Sequence, residues 1–131
     1  MIAFDAPSLT ISWEPEDRII HAKWKGKVDG DEMRRGLEAG LALIVEKEAH
    51  RWLADNTELD MIDPADVKWV NDQWVPRAVR AGLSSMAVHM AKRVVMQMVA
   101  KSFMARIDDR ELTNTYFDNV DAARDWLRKQ A

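Results

Sequence analysis

Leu9-Thr10-Ile11-Ser12-Trp13, then Glu14-Pro15-Glu16-Asp17, then Ile20-His21-Ala22-Lys23-Trp24-Lys25-Gly26-Lys27-Val28 is the stretch that decides the fold. Leu9, Ile11 and Trp13 alternate with Thr10, Ser12 and Glu14, the two-residue period of a half-buried strand. Pro15 presets its own φ inside an acidic turn. Ile20, Ala22, Trp24 and Val28 then alternate with His21, Lys23, Lys25 and Lys27. The two runs read as an antiparallel hairpin, with lysines blunting the exposed face or edge.

Outward from the hairpin, Asp29-Gly30-Asp31-Glu32 resembles a capping box, with Asp29 as N-cap and Glu32 three residues on. A helix follows to about Lys47, with Met33, Leu37, Leu41, Ile44 and Val45 as its apolar stripe. Gly36 and Gly40 lie one turn apart and predict close approach to the sheet, against a helix cost of about 1 kcal/mol each. Arg51-Trp52-Leu53-Ala54-Asp55-Asn56 suits a buried central strand, followed by an acidic loop holding Asp55, Glu58, Asp60 and Asp63. Asp63-Pro64 starts the next helix, with Asp63 as N-cap and Pro64 at its first position. Pro76 is expected to kink or break it, and Gly82 to end it. Ser85–His89 is a further internal strand. Residues 92 to about 107 form a helix whose apolar face is Val95, Met98, Val99, Ala100, Phe103 and Ile107, with Met96 and Met104 beside it. Thr113–Phe117 is a last strand. Asp118 caps a last helix with Ala122, Ala123, Trp126 and Leu127 inward. The expected fold is α/β in a single domain spanning residues 1–131. It has a mixed five-stranded sheet, an antiparallel hairpin followed by β-α units, and four to five helices.

Composition narrows the function classes. The 131 residues contain no cysteine, which removes disulfides and thiolate metal sites. No apolar run reaches the roughly 18 residues of a transmembrane span, and Met1-Ile2-Ala3-Phe4-Asp5 lacks the pattern of a signal peptide, so the cytoplasm is the expected location. The net charge of −3 is unevenly spread. Between Lys68 and Arg106 there are seven basic residues and one acid, Asp72. Such a stretch is either a solvated helix surface or a surface for an anionic partner.

Four stretches carry a family resemblance: Ile20–Gly26 ending in Trp24-Lys25-Gly26; Trp52-Leu53-Ala54-Asp55-Asn56; Trp69-Val70-Asn71-Asp72-Gln73-Trp74-Val75-Pro76-Arg77-Ala78; and Tyr116-Phe117-Asp118 with Ala122-Ala123-Arg124-Asp125-Trp126-Leu127. In order and spacing they resemble the SpoIIAA-like fold of STAS domains, within the small bacterial branch grouped with STAS and CRAL-TRIO lipid-binding domains. The resemblance implies a non-catalytic regulatory or protein-interaction module. In anti-sigma antagonists of this kind, a serine after the central strand, at a helix start, is phosphorylated to switch partner binding. The matching positions here are Asp55, Asn56 and Thr57, with Thr57 as the only hydroxyl, so these three are the candidate switch or ligand loop.

The residues themselves offer no catalytic centre. His21, His50 and His89 fall on or beside three different elements, and no His-Glu-x-x-His pair exists, so no metal is expected. The acidic loop is read as solvated, with a magnesium site as its alternative. Ser84, Ser85 and Ser102 lack a nucleophile elbow, and no glycine-rich phosphate loop occurs. No cofactor, nucleic acid or enzymatic activity is expected. The leading feature is the methionine-rich helix. Trp74, Met96, Met98, Phe103 and Met104 are the candidate interface or apolar pocket, with Met98 and Phe103 assigned to the core. An interface implies a homodimer or another protein partner. A pocket implies a carrier of a small apolar or lipid-like anion, with Arg77, Arg80 or Arg93 at the head group. Trp69 and Trp74, five residues apart, cannot easily share a helix face, so one of them is expected to be exposed.

Overall fold

A computed structural model describes residues 1–131. Six strands, β1 (Ile2–Ala6), β2 (Leu9–Glu14), β3 (Ile19–Lys27), β4 (Arg51–Met61), β5 (Ser85–His89) and β6 (Thr113–Phe117), form one sheet in chain order. β1, β2 and β3 pair antiparallel, and β3 to β6 pair parallel. The hairpin stands as expected, with Trp13 opposite Ile20. The sixth strand is β1, which the five-stranded reading lacked. Its Phe4 ring fits beside Gly36 of helix α1 (Gly30–Lys47), where a Cβ would lie 2.9 Å from Phe4 and 2.5 Å from Leu9. A Cβ on Gly40 would lie 2.6 Å from Trp52, so both glycines serve the predicted close approach.

Strand order equal to chain order has a consequence for the layers. Right-handed crossovers that all step the same way put every crossover helix on one face. That face carries α1, α2 (Pro64–Trp69), a π turn (Val70–Trp74), α3 (Val75–Ala81) and α4 (Val94–Ala105). A core of 27 buried residues lies beneath them, including Leu9, Ile11, Met33, Leu37, Trp52, Trp74, Met86 and Met96. The opposite face has only α5 (Val120–Arg128), whose Ala123 and Leu127 meet Ile19, Leu53 and Ala87.

Local chemistry sets the ends. Asp29 caps α1 through the N–H groups of Asp31 and Glu32. The second half of the capping box is diverted: Glu32 accepts from the N–H and hydroxyl of Ser8, pinning the β1–β2 turn. Asp63 and Pro64 start α2 as predicted. Pro76 does not break the helical run. The chain widens before it, with the Val75 N–H reaching back five residues to the Val70 carbonyl. A π turn relieves the clash a proline ring makes with the carbonyl four residues earlier. Gly82 ends α3 at φ 123°.

Four further expectations need correction. Val45 is exposed, and Leu43 takes its place in the α1 stripe. Asn119, not Asp118, caps α5. Ala122 faces solvent while Ala123 and Leu127 are buried. In α4 the buried line is Met96, Ala100 and Met104, at intervals of four; Met98 and Val95, expected inward, point out. With valine or methionine at most positions from 94 to 99, the first turns of α4 offer little polar contrast to set its rotation, and its polar residues are only Gln97, Lys101 and Ser102.

Candidate functional site

Two places combine unusual chemistry with access, one on each face. The first is an apolar cleft on the helical face. Its inner chamber, about 90 Å³, lies over the ends of β3, β4 and β5 and is walled by Trp24, Trp52, Trp74, Met86, Met96 and Phe103 among others. Asn56 is the one polar residue of its sixteen. Trp52 and Trp74 meet edge-on with ring centres 4.8 Å apart, and the Trp74 indole N–H donates to the Leu37 carbonyl at 2.8 Å. This satisfies the only polar atom of a ring that is otherwise buried. Trp69 is the more exposed of the pair, under the Arg34 guanidinium.

The chamber opens into a larger groove of about 470 Å³ between α2 and α4. The two cavities share Ile62, Val67, Val99 and Phe103. Polar ties hold α4 at both ends: Arg93 donates to the Asp60 carbonyl at 2.8 Å, and Asn71 donates to the Phe103 carbonyl at 3.2 Å. Between these ties α4 shows its other side to solvent, with Val94, Val95 and Met98 66, 58 and 65% exposed.

The second place is a polar row across the opposite face. The acidic stretch expected as a loop after Asn56 is strand instead, since β4 runs on to Met61. It accommodates its turn-forming residues with a bulge: Lys23 pairs with Asp55, but Lys25 pairs with Glu58. Asp55 accepts from the Thr57 N–H at 3.1 Å and the Thr57 hydroxyl at 2.7 Å. Glu58 pairs with Lys23 at 2.7 Å. The candidate switch residues Asp55, Asn56 and Thr57 therefore sit in a paired strand, not in a loop at a helix start, and the Thr57 hydroxyl is engaged.

Asp55 stands between two imidazoles. His21 Nε2 lies 3.6 Å from Asp55 Oδ2, and His89 Nδ1 lies 3.9 Å from Oδ1. Both distances exceed hydrogen-bond reach, and both nitrogens are buried without a hydrogen-bond partner. The other nitrogens are fixed. His21 Nδ1 donates to Glu14 at 3.1 Å, and His89 Nε2 donates to the Asp118 carbonyl at 3.3 Å. Glu14 also receives two hydrogen bonds from Arg124 of α5, at 3.2 and 2.8 Å. Burial opposes charge on His21, but the Asp55 and Glu14 carboxylates outweigh it and raise its pKa. His21 and then Arg124 hold Glu14 down to about 2. Burial opposes ionisation of Asp55, but His21 and Thr57 keep its carboxyl below the usual range. The row therefore reads Arg124, Glu14, His21, Asp55, His89; one end terminates at α5 and the other at Asp118, just before it. His50 lies apart, with Nδ1 at 2.7 Å from the Gly82 carbonyl. The imidazoles thus do not form a triad, and no group of three metal-ligating side chains converges.

With the fold and both places described, the relatives can be read. The SpoIIAA-like family model matches residues 19–128. The chain belongs to the SpoIIAA-like family. Among solved structures, this SpoIIAA-like chain is similar to an uncharacterised protein with a SpoIIAA-like fold from Shewanella loihica. The TM-score is 0.61 at 20% identity, over 92% of both chains. It is also similar to an anti-sigma factor antagonist from Mycobacterium paratuberculosis, with a TM-score of 0.57 at 14% identity, over 96% of this chain and 100% of that one. No curated protein sequence matches it. No helix of this SpoIIAA-like domain is long and apolar enough to cross a membrane.

The expected site residues divide between these places. Trp74, Met96 and Phe103 do line the inner chamber, and Met98 and Phe103 line the groove, but Met104 is buried in the core. The expected anion contacts do not reach the cleft. Arg77 is held by both oxygens of Glu38, Arg93 by the Asp60 carbonyl, and Arg80 is exposed near the end of α3. The cations that do line the groove are Lys68 and Arg106, which sequence reasoning did not select. The histidine row was also missed, because only the strand register brings residues 14, 21, 55 and 89 together.

Proposed function

We propose that this SpoIIAA-like protein is a non-catalytic interaction module of regulatory type, working through the groove between α2 and α4. The observation that carries the reading is the exposed side of α4. α4 exposes Val94, Val95 and Met98 together, and contiguous exposed apolar surface beside a groove marks a binding site. The inner chamber is well below the roughly 300–1,000 Å³ typical of ligand pockets, and the groove, at about 470 Å³, falls within that range; what favours a protein partner over a carried small molecule is that Val95 and Met98 on the groove wall stand exposed. The likeness to an anti-sigma factor antagonist supports a regulatory role at the level of fold.

The test is photo-crosslinking in the host cell with a benzophenone amino acid at position 98 or 95, against a control at the exposed Arg35. A discrete adduct from the groove positions alone is the expected result. Adducts of equal yield from position 35, or none anywhere, would refute it. A second reading, a carrier of a small apolar or lipid-like anion, draws on the continuity of chamber and groove. Native mass spectrometry of protein from its own host decides that reading by the presence or absence of a retained ligand.

A further inference from the structure

We infer that the occupant of the α2–α4 groove is an amphipathic helix of another protein carrying acidic residues beside its apolar stripe. The inference rests on the interaction-module reading and adds the chemistry of the partner. Shape is the first argument. On α4 the lining residues Val95, Met98, Val99, Ser102, Phe103 and Arg106 recur every three or four positions. They span twelve residues, roughly 16 Å at the rise of an α-helix. That is about three turns of a facing helix, whose i, i+3/i+4 and i+7 side chains are the usual anchors in such grooves. Methionine and valine walls adapt to different anchors, as promiscuous helix-binding surfaces do.

Charge is the second argument. No carboxylate lines the groove, while Lys68 and Arg106 do. Lys68 is shared with Asp72 one turn away. The Arg106 side chain has no ion pair or hydrogen bond, although its backbone N–H bonds to Phe103. Residues 92 to 107 contain Lys92, Arg93, Lys101 and Arg106 and no acid. Lys101 rests on the Tyr116 ring at 5.1 Å and Arg93 on the Asp60 carbonyl, so Arg106 is the cation free to meet a partner at the groove.

The other occupants fit less well. A second copy placing this groove against its equal would set Lys68 and Arg106 against like charges, and like charges in apposition select against a partner. A bilayer surface is flat and cannot fill a concavity, and α4 exposes valine and methionine where membrane-lying helices use tryptophan, phenylalanine and leucine.

The test uses the full chain and three labelled peptides of roughly five helical turns. They share one leucine stripe and differ only in flanking residues: glutamate, glutamine or lysine. Fluorescence anisotropy should rank glutamate over glutamine by about tenfold and over lysine by more, with the advantage shrinking as salt is raised. Met98→Glu should abolish binding of the glutamate peptide. Arg106→Ala should remove the glutamate preference and leave the glutamine peptide unchanged. Both side chains lie at the surface, and circular dichroism checks that both variants stay folded. Equal affinity for glutamate and glutamine peptides overturns the acidic assignment while the groove reading stands. If no peptide binds but the protein floats with phosphatidylserine vesicles, or dimerises on light scattering, the occupant is a membrane or a second copy and the helix is refuted. Failure of every arm sinks the groove reading as well.

Discussion

The two faces of the sheet are held by different physics. The helical face buries 27 core residues under three crossovers, while the other buries five under the nine-residue α5 and adds a row of charge from Arg124 to His89. Burial on the first face is indifferent to pH and nearly so to salt. On the second, the helix is seated by the buried Ala123 and Leu127, by the half-buried Val120 and Trp126, and by carboxylates that must stay ionised. The difference teaches where each kind of perturbation will act.

The largest expected effect is on the helical face. Trp52→Ala removes a ring wedged between Gly40 and Trp74 and should cost about 3–5 kcal/mol, read by urea unfolding. Leu127→Ala on the other face should cost less, about 2–3 kcal/mol, because α5 can settle into the space. If Leu127→Ala proved the costlier of the two, the faces would not differ as described.

A pH series sharpens the contrast. His21 has a raised pKa in the folded state. Its contribution is fully present below the ordinary value of 6.5 and is lost as pH rises through the folded value. Stability should therefore fall on the alkaline side of 6.5 in the native protein and not in His21→Asn. Glu14 runs the other way: its contribution is present above 4.5 and is lost as pH falls towards about 2. Glu14→Gln should flatten that acid limb and loosen α5, seen as faster amide exchange in residues 120–128. The smallest effect belongs to a surface pair on the helical side. Arg77→Ala breaks the bridge to Glu38, both partners being well exposed, and should leave the melting temperature unmoved.

Particular residues show what could be read beforehand. The hairpin, β5 and α1 were legible because apolar period and capping side chains agree there. β4 was cut short at Asn56 because Asp, Asn and Thr favour turns. What carries the strand on to Met61 is the pairing of Lys23 with Glu58 and the Thr57–Asp55 bulge, which need the register. β1 was missed because its Phe4 earns its place only through the notch at Gly36. The rotation of α4 was misjudged because its first turns offer little polar contrast, and that error hid the groove's outer wall.

Strand order has a further consequence, for synthesis. No strand must be threaded between two that are already joined, so each can be laid on the growing edge as it leaves the ribosome. The bond from Arg124 to Glu14 closes a sequence separation of 110 residues, among the longest ties in the molecule. A nascent chain therefore holds a nearly finished sheet with Glu14, His21 and Asp55 still bare to water, until α5 emerges and covers them.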